Sequence, residues 1–265
     1  MSAIRSNEIE LGEKLGEGTF GVVRKGTYNG KEVAVKTLLG NIEQQPMQRE
    51  PLYMTMVKGH PRFVTLYGIC LKETETLLVM EYVAGGSLFD FLHKTKEELK
   101  FPNAINLLHQ AAQGLAYLHS VSEKSVIHRD VKTLNMLLDV ERKNLKICDF
   151  GFVRQVGSHM TKESGTYAYM APEVFNDEHY TDKCDVYSMG ITIWEVLARK
   201  VPYYEHDKIN KIEFVTQIEK GVRPSLNDLS DCPQELKTFI TKCWAGKPDD
   251  RPTMQQVVVE LEKFL

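Results

Sequence analysis

Long hydrophobic runs are missing from this 265-residue chain. Its greasiest stretches, Leu77 to Met80 and Gly190 to Trp194, fall far short of the roughly 20 apolar residues that a membrane helix needs. The opening MSAIRSNEIE has no apolar signal core either. A soluble chain with no membrane contact in this stretch is the expectation. It starts and stops close around one functional unit, as would a piece excised from a longer protein with a tail, regulatory domain or membrane anchor. Charge of one sign is also lacking: 33 Lys and Arg against 36 Asp and Glu leave a net charge of -3, so no basic face is offered to nucleic acid. The five cysteines, Cys70, Cys148, Cys184, Cys232 and Cys243, are odd in number, far apart and without CxxC or zinc spacing. Isolated thiols suit a reducing compartment, which makes the cytoplasm the expected location. Oligomeric state leaves no trace in the sequence.

What is present has two textures. From Ile9 to about Met80, short β-rich runs (Gly21 to Lys25, Lys31 to Lys36, Leu77 to Met80) alternate with glycine turns such as Asn29-Gly30. One candidate helix, around residues 44–57, interrupts them. Past Gly86, apolar residues recur at helical spacing, as in Ile105, Leu108, Ala112 and Leu115, and again in Val186, Met189, Ile193 and Leu197. The pattern predicts an α+β protein of two lobes. Residues 1–84 form a small lobe of five strands and one helix, and residues 85–265 a larger, mostly helical lobe. The hinge falls at Glu81 to Gly85, where the pair Gly85-Gly86 ends the last strand.

Gly16, Gly18 and Gly21 form a G-x-G-x-x-G, which by itself also opens dinucleotide-binding units. Such a unit needs a helix next. Here Val22 to Gly26 reads as a strand closing a hairpin, followed by the strand Val33-Ala34-Val35-Lys36. Glycines let backbone amides approach phosphates closely, and a lysine on the next strand supplies countercharge. Further on stand His128-Arg129-Asp130-Val131-Lys132-Thr133-Leu134-Asn135, then Asp149-Phe150-Gly151, then Ala171-Pro172-Glu173. Phosphoryl transfer requires positioning, metal and a carboxylate near the attacking hydroxyl more than covalent help. Asp130 suits the base or orienting role, Asn135 and Asp149 suit magnesium ligation, and Lys132 suits neutralising the moving group.

These motifs, in this order, resemble the protein kinase domain over about Ile9 to Leu265. Leu145 to Gly151, Lys183 to Ser188, and Cys243-Trp244 with Arg251-Pro252 are most similar to the tyrosine-kinase-like group, and within it to the mixed-lineage and TGF-β-activated MAP kinase kinase kinases. The resemblance implies ATP and Mg2+ as cofactors and a protein substrate, possibly another kinase. It implies Met80 as gatekeeper, Glu81 and Val83 as backbone partners of adenine, and Leu15, Val23, Ala34 and Leu137 as the walls of its slot. It also implies a Glu173–Arg251 pair, and a spine of Met54, Leu66, His128 and Phe150 anchored by Asp185.

Lys132 and the segment Gly165 to Met170, with Thr166 beside the catalytic loop, match the serine/threonine type. Cys243-Trp244 is shared with tyrosine kinases, so a dual-specificity or tyrosine kinase stays open. So does a nucleotide-binding pseudokinase scaffold, because one feature departs from pattern. Glu50 is the expected partner of Lys36, yet Pro51 follows it, and proline inside a helix costs about 3 kcal/mol or more. Counting the helix from Pro46 places Pro51 beyond the first turn, so a short, late or bent helix is expected, with Glu43 as the fallback partner. Activation by phosphorylation is expected at Thr161, then Ser164, then Ser158, with Arg129 and Arg154 as receivers. Cys148 is expected at the floor of the nucleotide pocket.

Overall fold

A computed structural model describes residues 2–18, 21–39, 49–123, 125–152, 167–175, 181–206 and 209–265. The amino-terminal part is a five-stranded antiparallel sheet in the order β1 (Ile9–Gly18), β2 (Gly21–Tyr28), β3 (Lys31–Leu39), β5 (Glu75–Glu81), β4 (Leu66–Leu71). Helix α1 (Arg49–Met56) lies between β3 and β4 in the chain. The alternation along β3 sorts its side chains to two faces. Val33 and Val35 are buried with Cys70, Leu77 and Val79, whereas Lys36 and Leu38 are buried on the side of the main core. The pairing sets Ala34 opposite Met80 and Lys36 opposite Leu78.

One feature of this sheet carried no sequence signal. The stretch Ser2 to Ile4 runs parallel to β4, with the Ile4 N–H donating to Ile69 O at 2.9 Å and the Ile69 N–H to Ser2 O at 3.0 Å. Ile4 thereby joins the cluster of Val33 and Val35. Gly68 permits this, since a Cβ there would stand 2.4 Å from Ser2 O.

The rest is mainly helical: α2 (Leu88–Lys94), α3 (Phe101–Ser120), α4 (Pro172–Phe175), α5 (Lys183–Ala198), α6 (Lys211–Glu219), α7 (Gln234–Cys243) and α8 (Met254–Glu262), with the small hairpin β6 (Met136–Leu138) and β7 (Leu145–Ile147). Helix α5 is apolar nearly all round and almost completely buried, the mark of a central helix. It ends at Arg199 in left-handed conformation (φ 51°), whose guanidinium donates to Leu92 O and Thr95 O at 2.9 Å and so caps the end of α2. Among the described residues no helix is long and apolar enough to cross a membrane.

Pro51 does not break α1. Helical backbone continues through Pro51 from Arg49 to Met56. Pro46, the start counted from sequence, lies outside the described residues.

Candidate active site

Strand β3 and helix α1 bring Lys36 and Glu50 together in a buried pair. The Lys36 ammonium donates to both Glu50 oxygens at 2.9 and 3.0 Å, and to Asp149 Oδ1 at 2.8 Å. Burial alone would lower the Lys36 pKa, but the Asp149 and Glu50 carboxylates outweigh it and hold the ammonium charged well above its usual range. Burial pushes the Glu50 pKa up, against the pull of Lys36. For Asp149 burial acts the same way, yet the charge and hydrogen bond of Lys36 prevail and keep its carboxylate ionised. Asp149 sits at φ 62°, an uncommon conformation for a residue with a side chain, and its Oδ1 also accepts the Gly151 N–H at 3.3 Å.

The loop from His128 to Asn135 is held from beneath by α5. Asp185 accepts the N–H groups of His128 and Arg129, each at 2.8 Å, and faces His119 Nε2 at 2.8 Å. Arg129 is thereby kept at φ 66°. Asp130 is buried; Lys132 Nζ lies 2.9 Å from its Oδ2, and the Asn135 amide donates to Asp130 O at 2.8 Å and Oδ2 at 2.7 Å. Burial raises the Asp130 pKa and Lys132 only partly offsets it. Strands β6 and β7 pair Met136 with Ile147, and the Cys148 N–H donates to Asn135 O at 3.0 Å. Asn135 and Asp149 are thus tied side by side. His128 and Phe150 pack with ring centroids 5.6 Å apart, and Phe63, Met54 and Leu66 are buried in the same core.

Of the residues expected to wall the slot, Ala34 pairs with Met80, Val23 with Lys36, and Leu137 bridges to Ser87 just past the hinge. Met80 is almost buried, Ala34, Val23, Val83 and Leu137 are half-buried, and Leu15 is exposed. The hinge is bonded to β6: the Gly85 N–H donates to Leu138 O and the Leu138 N–H to Gly86 O, both at 2.9 Å. A Cβ on Gly85 would come within 2.2 Å of Asp139 O, so only glycine permits that approach. The Glu81 carboxylate accepts the Thr65 N–H at 3.1 Å and Lys146 Nζ at 2.9 Å, joining the hinge to β7.

In the glycine hairpin Gly16 pairs with Val23 and Gly18 with Gly21. Gly21 has φ 138° and its missing Cβ would overlap Thr37 O, whereas at Gly16 a Cβ would meet nothing within 4 Å. The donor set fits MgATP. Asp149 and the Asn135 carboxamide offer the hard oxygens magnesium prefers, and the charged Lys36 is bonded to Asp149.

Residues 9–261 match the family model described as protein tyrosine and serine/threonine kinase. The chain belongs to the protein kinase family. It is 45% identical to mitogen-activated protein kinase kinase kinase 7 of Drosophila melanogaster over 253 residues, 95% of this chain and 37% of that protein. Against the protein of that name from Homo sapiens identity is 41% over 256 residues, 95% of this chain and 41% of that one. The chain thus spans about two-fifths of the length of the curated relatives it matches. The likeness to MAP kinase kinase kinases in the sequence motifs is repeated in these relatives.

Two parts of the kinase site stand apart from the sequence expectations. Thr166, Ser158, Thr161, Ser164, Arg154 and Glu43 lie outside the described residues. Conversely, a buried hub at Glu195 was not foreseen. Its Oε2 accepts the hydroxyls of Thr133 at 2.9 Å and Tyr169 at 2.8 Å, and its Oε1 faces His93 Nε2 at 2.9 Å. The available signal was one charge within an apolar run, Gly190-Ile191-Thr192-Ile193-Trp194-Glu195-Val196, which has to be paired when buried. Glu173 and Arg251 form a bidentate buried pair at 2.6 and 2.9 Å, fixing α4 to the loop before α8.

Proposed function

We propose that this chain is the catalytic domain of a serine/threonine protein kinase, and that the groove between the sheet and the helical part, divided near residues 84 and 85, is where it acts. ATP with Mg2+ supplies the phosphoryl group and the counterions to its charge. Leu15, Val23, Ala34, Met80 and Leu137 enclose the base, with the backbone of Glu81 and Val83 as its polar edge. Gly16, Gly18 and Gly21 cover the phosphates, and Lys36, aligned by Glu50, pairs with them. Asp149 and Asn135 hold the cation. Asp130 orients the acceptor hydroxyl and takes up its proton; a carboxylate with a raised pKa is better matched to that task near neutral pH. Lys132 offsets charge on the group in transit, and its presence two positions after Asp130 favours serine and threonine acceptors. Thr166 is assigned a supporting place beside Asp130 and Lys132, and Thr161, Ser164 and Ser158 remain the sites proposed for activating phosphorylation, all by resemblance.

The observation that carries this reading is the convergence of Lys132 and Asn135 on Asp130, at 2.9 and 2.7 Å. The relatives' name, mitogen-activated protein kinase kinase kinase, points to other kinases as substrates. The five free thiols support a reducing compartment, and we assign the cytoplasm. The test is phosphate transfer from MgATP to a generic basic protein. Transfer abolished by Asp130→Asn, with phosphoserine and phosphothreonine as products, is expected. Phosphotyrosine as the main product would overturn the acceptor assignment, and nucleotide binding without turnover would overturn catalysis itself.

A further inference from the structure

Glu195 is a buried carboxylate whose partners differ in kind. Its Oε2 accepts the hydroxyls of Thr133 and Tyr169 at 2.9 and 2.8 Å, and its Oε1 faces His93 Nε2 at 2.9 Å. Both hydroxyls donate to Oε2, as they would to a carboxylate. The proton of the third bond therefore sits on the more basic group, Nε2, which donates to Oε1. Glu195, Thr133 and Tyr169 are buried, and His93 is half-buried.

His93 comes from α2, the first helix after the hinge, which lies against the 3-10 turn Thr133–Asn135. Contacts run from His93 through Glu195 to Thr133. Asn135, at the far end of that turn, donates to Asp130 Oδ2 at 2.7 Å. Without the His93 donor, Oε1 is an orphaned oxygen on a buried charge. The carboxylate then turns toward the hydroxyls it still has, and Thr133 moves with it. The bond from the Asn135 N–H to Lys132 O, at 3.0 Å, passes that shift on to Asn135 and Asp130. Arg199, four residues further along, offers no substitute donor, because its guanidinium is spent on the carbonyls of Phe91, Leu92, Thr95 and Glu97. Lys132 is paired with Asp130.

We propose that His93 is a positioning residue for phosphoryl transfer: its Nε2–H, acting through Glu195 and Thr133, holds the turn that sets Asn135 against Asp130. This rests on reading Asp130 as the carboxylate that meets the acceptor hydroxyl. The role belongs to the donor and not to the ring. Two variants separate the two. His93→Phe keeps a ring to pack on Phe89, at 4.6 Å between centroids in the native pair, but has no donor. His93→Gln places an amide N–H where Nε2 stands. Transfer from MgATP to a generic basic protein is measured at steady state, and ATP affinity by calorimetric titration. His93→Phe should lower kcat about 10- to 30-fold, with KM and affinity for ATP within about twofold of wild type. His93→Gln should recover kcat to within about threefold of wild type. Crossing His93→Phe with Thr133→Val gives a readout that packing alone would not move. Both remove links in one chain, so the double variant should be no more than about twofold slower than the worse single one.

Wild-type kcat in His93→Phe overturns the proposal. So does a His93→Gln as slow as His93→Phe, or losses that multiply in the double variant. Should His93→Phe fail to fold, His93→Asn takes its place, since the shorter amide falls short of Oε1, and wild-type kcat there overturns the proposal equally. Asp130→Asn is run alongside. Transfer at the wild-type rate in that variant would remove the underlying reading of the site, whereas abolished transfer there with an undiminished His93→Phe sinks the present proposal alone.

Discussion

Asp185→Asn tests how much of the site depends on one buried charge beneath it. Asp185 has no exposed surface, and its two oxygens accept from Arg129, His128 and His119 at 2.8 Å each. Asparagine keeps the shape and one acceptor oxygen but turns the other position into a donor. Whichever way the amide turns, at least one backbone N–H then faces an N–H. A hydrogen bond to a charged acceptor is worth about 1.5–3 kcal/mol, and an orphaned buried donor costs about 1–3 kcal/mol. The expected loss is therefore roughly 3 kcal/mol or somewhat more. For a domain of this size about 1 kcal/mol moves Tm by roughly 2–4 °C, so the midpoint should fall by about 6–12 °C.

The catalytic consequence follows from Arg129, held at φ 66° by the bond that the substitution weakens. Left-handed backbone costs a residue with a side chain about 1–3 kcal/mol, so a loosened Arg129 relaxes and carries Asp130 with it. A displacement near 1 Å is worth up to about 100-fold, hence kcat should fall roughly 10- to 100-fold while KM for ATP changes little. The pH dependence has a definite sign. Burial acts to raise the Asp185 pKa, but the hydrogen bond and charge of His119 and the N–H of His128 hold it below the ordinary value. A depressed folded-state pKa stabilises the protein above the unfolded value and loses that contribution as pH falls through the folded one. The gap between wild type and variant should be full at pH 7 and narrow only below about pH 4. Differential scanning fluorimetry and steady-state transfer read both effects. A Tm within about 2 °C of wild type would refute the energetic argument, and a fallen Tm with unchanged kcat would refute the positioning argument.

Four further outcomes are expected. Glu50→Gln keeps one hydrogen-bond acceptor, and Asp149 still pairs with Lys36, so kcat/KM should drop only about 10- to 100-fold; an unchanged value would detach the Lys36–Glu50 pair from catalysis. Gly85→Ala drives a Cβ to within 2.2 and 2.4 Å of the Asp139 and Leu138 carbonyls. Nucleotide affinity should fall about tenfold or more as the hinge shifts, and calorimetric titration that finds wild-type affinity would show that the hinge tolerates the strain. Burial and the neighbouring Asp149 push the Cys148 thiol pKa up, so labelling by a small thiol reagent at pH 8 should be slow with or without ATP; rapid labelling that ATP blocks would contradict this. The raised Asp130 pKa should place the acid limb of the kcat/KM profile above the ordinary carboxylate range, and Lys132→Met should move it higher still.

Much of the site could be read from sequence because its residues are neighbours along the chain before they are neighbours in space. The eight-residue stretch from His128 to Asn135 is one loop, and Asp149 follows a three-residue strand paired with the strand that follows Asn135. Where long-range packing decides, the sequence is silent. Glu195 meets Thr133 from 62 positions away and His93 from 102, and nothing local marks either partner. Pro51 speaks only to the backbone around it, and it could not tell that Glu50, the residue before it, reaches Lys36 on β3. Ser2 to Ile4 gave no strand signal because one buried isoleucine and two backbone bonds suffice to seat it.

The two halves of the site are anchored in unequal ways, and the inequality bears on where control can act. Helix α5 contributes two buried carboxylates, Asp185 in its first turn and Glu195 near its end, which grip the catalytic loop at His128 and Arg129 and again at Thr133. Burying two charges is tolerable only because every oxygen is engaged, so this half has one arrangement or none. Lys36 depends instead on α1, which seats Met54 in the core but leaves Leu52 53% and Met56 37% exposed on its other side. A single short helix with one solvent-facing side can shift for a smaller free-energy difference than the doubly anchored loop, and the Lys36–Glu50 bonds would go with it. Switching should therefore act through α1, with the Asp130 loop remaining formed throughout. Amide exchange makes this concrete: protection in α1 should change between unphosphorylated and phosphorylated protein while that of α5 stays near the global limit.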